Sequence, residues 1–243
     1  MTATVYDFPR EWYDLIVTQK FTLRSLSQVS GRPWAGGRNV AEPHVRLFTS
    51  EVTMAPQRDP VLQDMDAFFS RIKGPSGVLR LSNALRLAPW YDRNLSPTVA
   101  TWSDSSLFTD GTGFANGFLP PEVFVATAAA RGTNYIVLGG FPASITDVIR
   151  RGDLLEVKPN GIPGVIPHLY KAAFTCSSNS SGQVGIEIGP NLHGGIAAGD
   201  TVGLRYPSSL FRLADDTQGD IEGSGAGIGT FGFSVIEALD LVA

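Results

Sequence analysis

Apolar residues at Val61, Leu62, Met65, Phe68, Phe69 and Ile72 recur on one side of a 3.6-residue period, in the one stretch that reads plainly as a helix. The signals at its ends predict a helix over residues 59–73. Asp59 is placed to cap the first amides, Pro60 stands where a missing N–H costs nothing, and Gly74 supplies the left-handed stop. Arg71 and Lys73 fall in the last turn, where positive charge suits the helix dipole. A stripe this apolar needs a cover, and the surrounding pattern predicts that strands provide it.

Those strands are read from alternation. Thr18 to Val29 alternates around Phe21, Leu23 and Leu26. In His44 to Met54, Leu47, Thr49, Glu51 and Thr53 face one way and Phe48, Ser50, Val52 and Met54 the other. Val78, Leu79 and Leu81 form a short strand after a Gly-Pro-Ser-Gly turn. From Val123 onward VFVATAAA, NYIVLGGF, DLLEVKP, LYKAAFTCS, QVGIEIG and TVGLRYP follow, with turns every ten to fifteen residues, the spacing of a small sandwich or barrel. Gly-Asp precedes two of these strands, at Gly152-Asp153 and Gly199-Asp200, as a turn device. A last strand spans Thr230 to Ala238. The fold class is mainly β with one amphipathic helix. Residues 1–17 carry Tyr6, Phe8, Trp12, Tyr13, Leu15 and Ile16, too apolar for a loose tail, and are expected to pack on this domain or on a neighbouring subunit.

Composition narrows the function. The 243 residues are 43% hydrophobic and 17% charged, the profile of a folded chain, and 27 Gly with 16 Pro favour turns and short strands. A net charge of −4 without a basic cluster argues against a nucleic-acid-binding surface. Cys176 is alone, so no internal disulfide forms and a reducing compartment is expected. The amino terminus has charges where a signal peptide would have its apolar core, and no run approaches a membrane span.

Sites for chemistry are sparse. Gly227 to Gly232 spells GxGxxG, but strand-like alternation follows where a dinucleotide site needs a helix, so it reads as a turning loop. His44, His168 and His193 lie far apart with no partner at metal-ligand spacing, and a structural role is expected for each. Cys176 sits among strand residues with no histidine beside it, and no GxSxG elbow occurs. Among Asp104, Asp110, Glu122, Asp153, Glu156 and Glu187, no pair stands out for glycoside cleavage. Residues 89–122 read as an ordered irregular loop whose Trp90, Trp102 and Phe108 suit either a sugar surface or anchoring of the loop. No catalytic, cofactor-binding or metal residue is assigned. The interaction candidates are Phe68, Phe69, Met65, Trp12, Tyr13, Trp90 and Trp102.

The order FTDGTGF, VFVATAAARGTNYIVLGGFPAS, IRRGDLLEVKPNG, LYKA, GQVGIEIGPNL, GIAAGDTVGLRYPSSLFRL, IGTFGFSVIEAL resembles that of tailed-bacteriophage distal tail, or baseplate-hub, proteins. The likeness covers roughly 100–240, and 18–90 in outline. It implies a ring-forming β-sandwich of residues 1–88 and 207–243 carrying the helix. It also implies an inserted β-barrel-like domain of the OB or galectin kind over 89–206. The protein would be a non-enzymatic structural part of the virion, made in the host cytoplasm and placed at the distal end of the tail. Six copies would form a ring joining tail tube to tip or hub proteins and pass DNA through its lumen, with no cofactor. Truncating Phe68 would then cost about 3–5 kcal/mol if it is fully buried, and ring assembly with it. The alternative is a carbohydrate-binding module that attaches to a host glycan through the loop 89–122; a β-sandwich hydrolase using Asp104 and Asp110 is the remotest reading.

Overall fold

The computed structural model describes residues 4–25, 46–72, 74–86, 122–159, 167–215 and 228–239, with Pro89 and the strand pieces 28–29, 40–41, 98–100, 114–116 and 221–224. The chain is mainly β. In order come β1 (Val5–Asp7), β2 (Ile16–Ser25), β3 (Gln28–Val29), β4 (Val40–Ala41), β5 (Arg46–Met54) and β6 (Gln57–Arg58). Helix α1 (Val61–Ile72) follows, then β7 (Val78–Ser82), β8 (Thr98–Ala100) and β9 (Phe114–Asn116). Six strands come next: β10 (Val123–Thr127), β11 (Tyr135–Gly139), β12 (Leu154–Lys158), β13 (His168–Ala172), β14 (Val184–Gly189) and β15 (Thr201–Gly203). Last are β16 (Ser208–Leu213), β17 (Ile221–Ser224) and β18 (Ile228–Glu237).

Strands from both ends of this order share an eight-stranded sheet, β1-β7-β16-β18-β5-β2, with β6 and β17 also on β18. All its pairings are antiparallel except β1 with β7. β18 is its spine. Its first half pairs with β17 and β6, its second half with β16 and β5. Alternation decides the faces, as a period of two requires: Phe48, Ser50, Val52 and Met54 of β5 and Phe231, Phe233, Val235 and Glu237 of β18 are buried.

Helix α1 buries Leu62, Met65, Phe69 and Ile72 against this sheet, where Phe69 meets Phe231 at 4.6 Å and Phe233 at 4.9 Å between ring centroids. The helix starts later than the sequence suggests. The carbonyl of Pro60 accepts the first helical hydrogen bond from Asp64 N at 3.1 Å, so Pro60 rather than Asp59 holds the boundary position. Gly74 has φ +63°, the left-handed stop that its type allows. Phe68, on the flank of the stripe, is only partly buried.

A 3-10 turn over Arg10–Leu15 lays the N-terminal segment over the same core. Phe8 and Trp12 are buried in it, and Tyr6, Tyr13, Leu15 and Ile16 pack partly against it. The choice left open by the sequence is thereby decided: these side chains belong to their own domain.

The strands between Val123 and Gly203 close into a separate barrel, β10-β11-β14-β13-β12-β15, in which β15 returns to β10. Its inward residues, among them Val125, Ile136, Leu138, Leu155, Val157, Tyr170, Ile186 and Val202, form a second core. The two Gly-Asp turns are one device used twice, ahead of the paired strands β12 and β15. Gly152 and Gly199 take φ +89° and +93°. The following aspartates, both buried, accept from the N–H three residues back, Asp153 from Arg150 and Asp200 from Ala197, each at 2.8 Å. Barrel and sheet meet along the outward side of β12 and β13. Leu154 and Leu169 pack into the core of the sheet and helix rather than that of the barrel. The side chain of Arg86 donates to the carbonyl of Gly152 across the same junction.

Candidate functional site

The residues singled out from the sequence come together, but as packing. Trp12 and Phe68 meet edge to face at 5.2 Å, Phe68 and Phe69 at 5.4 Å, and Phe8 touches Trp12, Tyr13, Phe68 and Phe233. Met65 is fully buried beneath them. The Tyr13 hydroxyl accepts from Ser82 N at 2.8 Å, and burial pushes the phenol above its ordinary range. Geometries of this kind, edge-on contacts between interlocked rings, stabilise a core. Trp90, Trp102, Phe108, Asp104 and Asp110 lie outside the described residues, as do most of 89–122.

The remaining sequence candidates fall into structural positions. Ile228 to Gly232 of the GxGxxG stretch are part of β18 itself, paired with β6, β17 and β5, and so are not the turning loop expected from their glycines. Cys176 forms an isolated bridge with Ile149, and burial raises its thiol, which disfavours the nucleophilic thiolate. Glu122 and Glu187 are exposed. Among the described residues no three His, Cys, Asp or Glu side chains group as a metal site of three or more ligands requires.

What the sequence did not bring together is a cleft of about 500 Å³ at the junction of sheet and barrel. β1 and the turn after it contribute Asp7 and Arg10, β7 contributes Arg80, β12 contributes Glu156 and Lys158, and the segment before β16 contributes Arg205 and Tyr206. Four basic side chains therefore face two acidic ones. Asp7 pairs with Arg80 at 3.3 Å, and Glu156 with Lys158 at 3.2 Å. Glu156 is buried and also accepts from Ser208 N at 3.1 Å and Ser208 Oγ at 3.3 Å, which ties the barrel to the sheet. The Arg10 guanidinium lies 5.2 Å over the ring of Tyr206. Tyr206 itself has φ +49°, a left-handed conformation that a bulky side chain rarely adopts, and the residue is 44% exposed at the mouth. With a cationic excess and an aromatic platform, the cleft suits an anionic group on a flat or ring-shaped ligand.

A second grouping brings together two of the three histidines that lie far apart in the sequence. His168, which opens β13, and His193, in the loop after β14, sit with ring centroids 5.2 Å apart at 60°. His193 also stacks on Tyr170 at 5.9 Å, and its backbone N–H donates to the Tyr170 hydroxyl at 3.2 Å. Both nitrogens of His168 and Nε2 of His193 are buried with no hydrogen-bond partner. Burial pulls both imidazoles down to about 4, helped by His193 in the case of His168 and by Arg131 in the case of His193, so both rings are neutral at pH 7. His44 lies outside the described residues.

No protein-family model matches this chain, and no curated protein matches it. No helix among the described residues is long and apolar enough to cross a membrane.

Proposed function

We propose that the chain is a structural, non-enzymatic component of a tailed-phage virion, a distal tail protein that assembles with copies of itself into a ring. The observation that carries the reading is the open sheet. Among the described residues β2 is ten residues long and pairs only with β5, while β1, at the other end, pairs only with β7. Two free edges on one sheet invite edge-to-edge pairing between copies. Contact of one edge with the opposite edge of the next copy is heterologous, and such contacts close into rings when the rotation permits. The barrel, whose six strands form their own closed circuit, has no comparable edge and would decorate that ring. In this role the chain joins tail tube to tip or hub proteins and lets DNA through a lumen that does not bind it. It would be made in the host cytoplasm and end up at the distal tip of the tail.

The test is the assembly state. Negative-stain images and native mass spectra of the purified chain, alone and with its tube partner, should show rings, six copies being the expected number by resemblance. Val17, 61% exposed on the edge strand β2, gives a variant. Val17→Lys places a charge on that edge and should yield monomers with an unchanged far-UV spectrum. A wild-type chain that stays monomeric and also fails to bind tube or hub proteins would remove the reading.

A carbohydrate-binding role is the second reading, and the strained Tyr206 favours it, now at the junction cleft rather than in the loop 89–122. A uronic or sialic acid would put its ring on Tyr206 and its carboxylate near Arg10. On an array of acidic glycans, Tyr206→Ala should then weaken binding at least ~10-fold, about 1.4 kcal/mol. No binding by the wild-type chain to any host glycan would leave the structural reading alone.

A further inference from the structure

We propose that His168 and His193 form a two-histidine site for one divalent transition-metal cation of the zinc, nickel or copper kind, at one end of the barrel. His168 shares the inward parity of Tyr170 and Ala172 on β13, so its ring points into the barrel's end rather than to the sheet. There it is buried, and neither of its ring nitrogens has a partner. Buried polar atoms without hydrogen bonds are rare and call for an explanation, since each loses its hydration without a replacement. Here three such atoms belong to two rings in mutual contact.

The separation of the rings leaves room for a shared ion. With metal–nitrogen bonds of about 2.05 Å, each imidazole centroid lies about 3.2 Å from the ion, and a tetrahedral angle sets the two centroids about 5.2 Å apart. The observed separation of 5.2 Å admits this geometry and is equally that of an ordinary edge-on ring pair, so the unpartnered nitrogens carry the argument. Neutral imidazole carries the lone pair that zinc, copper and nickel accept. Tyr170 stacks on the His193 ring, and its hydroxyl accepts from the His193 backbone N–H, which holds the loop carrying this residue in place. Two protein ligands leave the other coordination positions to solvent, and the charge of Arg131 near His193 opposes a cation. Both features weaken the affinity, and they favour an ion that locks the loop after β14 onto β13 over one that performs catalysis.

The experiment is equilibrium dialysis of the full chain against Zn²⁺ and Ni²⁺, with metal content measured per chain. One ion per chain is expected, and His168→Ala and His193→Ala should each weaken binding by at least ~10-fold. Because either variant could unfold the barrel's end, paramagnetic broadening by Ni²⁺ is followed by NMR on the unmodified chain. It should strike the ring signals of His168 and His193 and spare those of His44. No saturable uptake below about 1 mM would overturn the proposal and assign the unpaired nitrogens to buried water. Uptake that survives in the double variant, or broadening centred on His44, would overturn it equally.

Discussion

Phe69→Ala is expected to destabilise the chain by about 3–5 kcal/mol, the range for removing a fully buried phenyl ring from a core that cannot collapse around the gap. Only 5% of Phe69 is exposed, and its ring is held between Phe231, Phe233 and Phe68 at 4.6–5.4 Å. Its neighbour Phe68 is half-buried and makes edge contacts with Tyr6, Phe8 and Trp12, so Phe68→Ala should cost less, about 1–2 kcal/mol. The figure expected for Phe68 from the sequence held only for full burial, and the residue is partly buried. The two variants also fail differently. Losing Phe69 weakens the joint between α1 and β18, whereas losing Phe68 loosens the N-terminal segment and opens it to protease. Urea titrations followed by tryptophan fluorescence, with limited proteolysis in parallel, separate the two. A larger loss for Phe68 than for Phe69 would refute the packing described for the helix.

The second large effect is a dependence on pH. Glu237 sits on β18 with 4% exposure, accepting from Phe48 N at 3.0 Å and from the Ser209 hydroxyl at 2.7 Å. Burial pushes its carboxyl from the ordinary 4.5 up to about 7, against the opposing pull of those two donors. Between these values the folded chain keeps a proton on Glu237 that the unfolded chain has released, so the contribution of this one group falls as the pH rises from 4.5 to 7 and is flat above, while the buried neutral His168 and His193 act in the opposite sense below pH 6.5. The gap corresponds to about 3 kcal/mol. Glu237→Gln should remove this contribution and leave that of the two histidines. The amide places its carbonyl toward Phe48 N–H and its NH₂ toward Ser209 Oγ, reproducing the protonated acid. At pH 8 the variant should therefore be more stable than the parent by about 2–3 kcal/mol. Chemical denaturation at a series of pH values decides the matter. A difference in stability between parent and Glu237→Gln that does not change from pH 4.5 to 7 would contradict it.

Local periodicity made the scaffold legible, and distance along the chain hid the sites. The stripe from Val61 to Ile72, the inward set Phe48–Ser50–Val52–Met54 and the Gly-Asp turns are each set by neighbours within a few residues, where a period of 3.6 or 2 is visible. Glu237 carried a readable signal as well: it continues the inward series Phe231, Phe233, Val235, and only its polarity argued against burial. The histidine pair and the cleft gave no such signal. His168 and His193 are 25 residues apart, brought together by the register of β13 and by a loop whose path no pattern encodes. The cleft draws on segments near residues 7, 80, 156 and 206, and a strained backbone such as that of Tyr206 has no signature in a Tyr-Pro dipeptide. The N-terminal aromatics lay between these cases. Their burial was evident, but whether their cover came from the same chain could be decided only once α1 was in place.

β18 holds four other strands at once, and this orders events in time. The barrel's strands are contiguous from Val123 to Gly203, so on a translating ribosome it can close while β16, β17 and β18 are still unsynthesised. β1, β2, β5, β7 and α1 emerge first but have no spine to align them until β18 arrives some 170 residues after β5. In that interval the aromatic faces of β5 and α1 are uncovered, which makes the nascent chain rather than the finished protein the stage most exposed to aggregation.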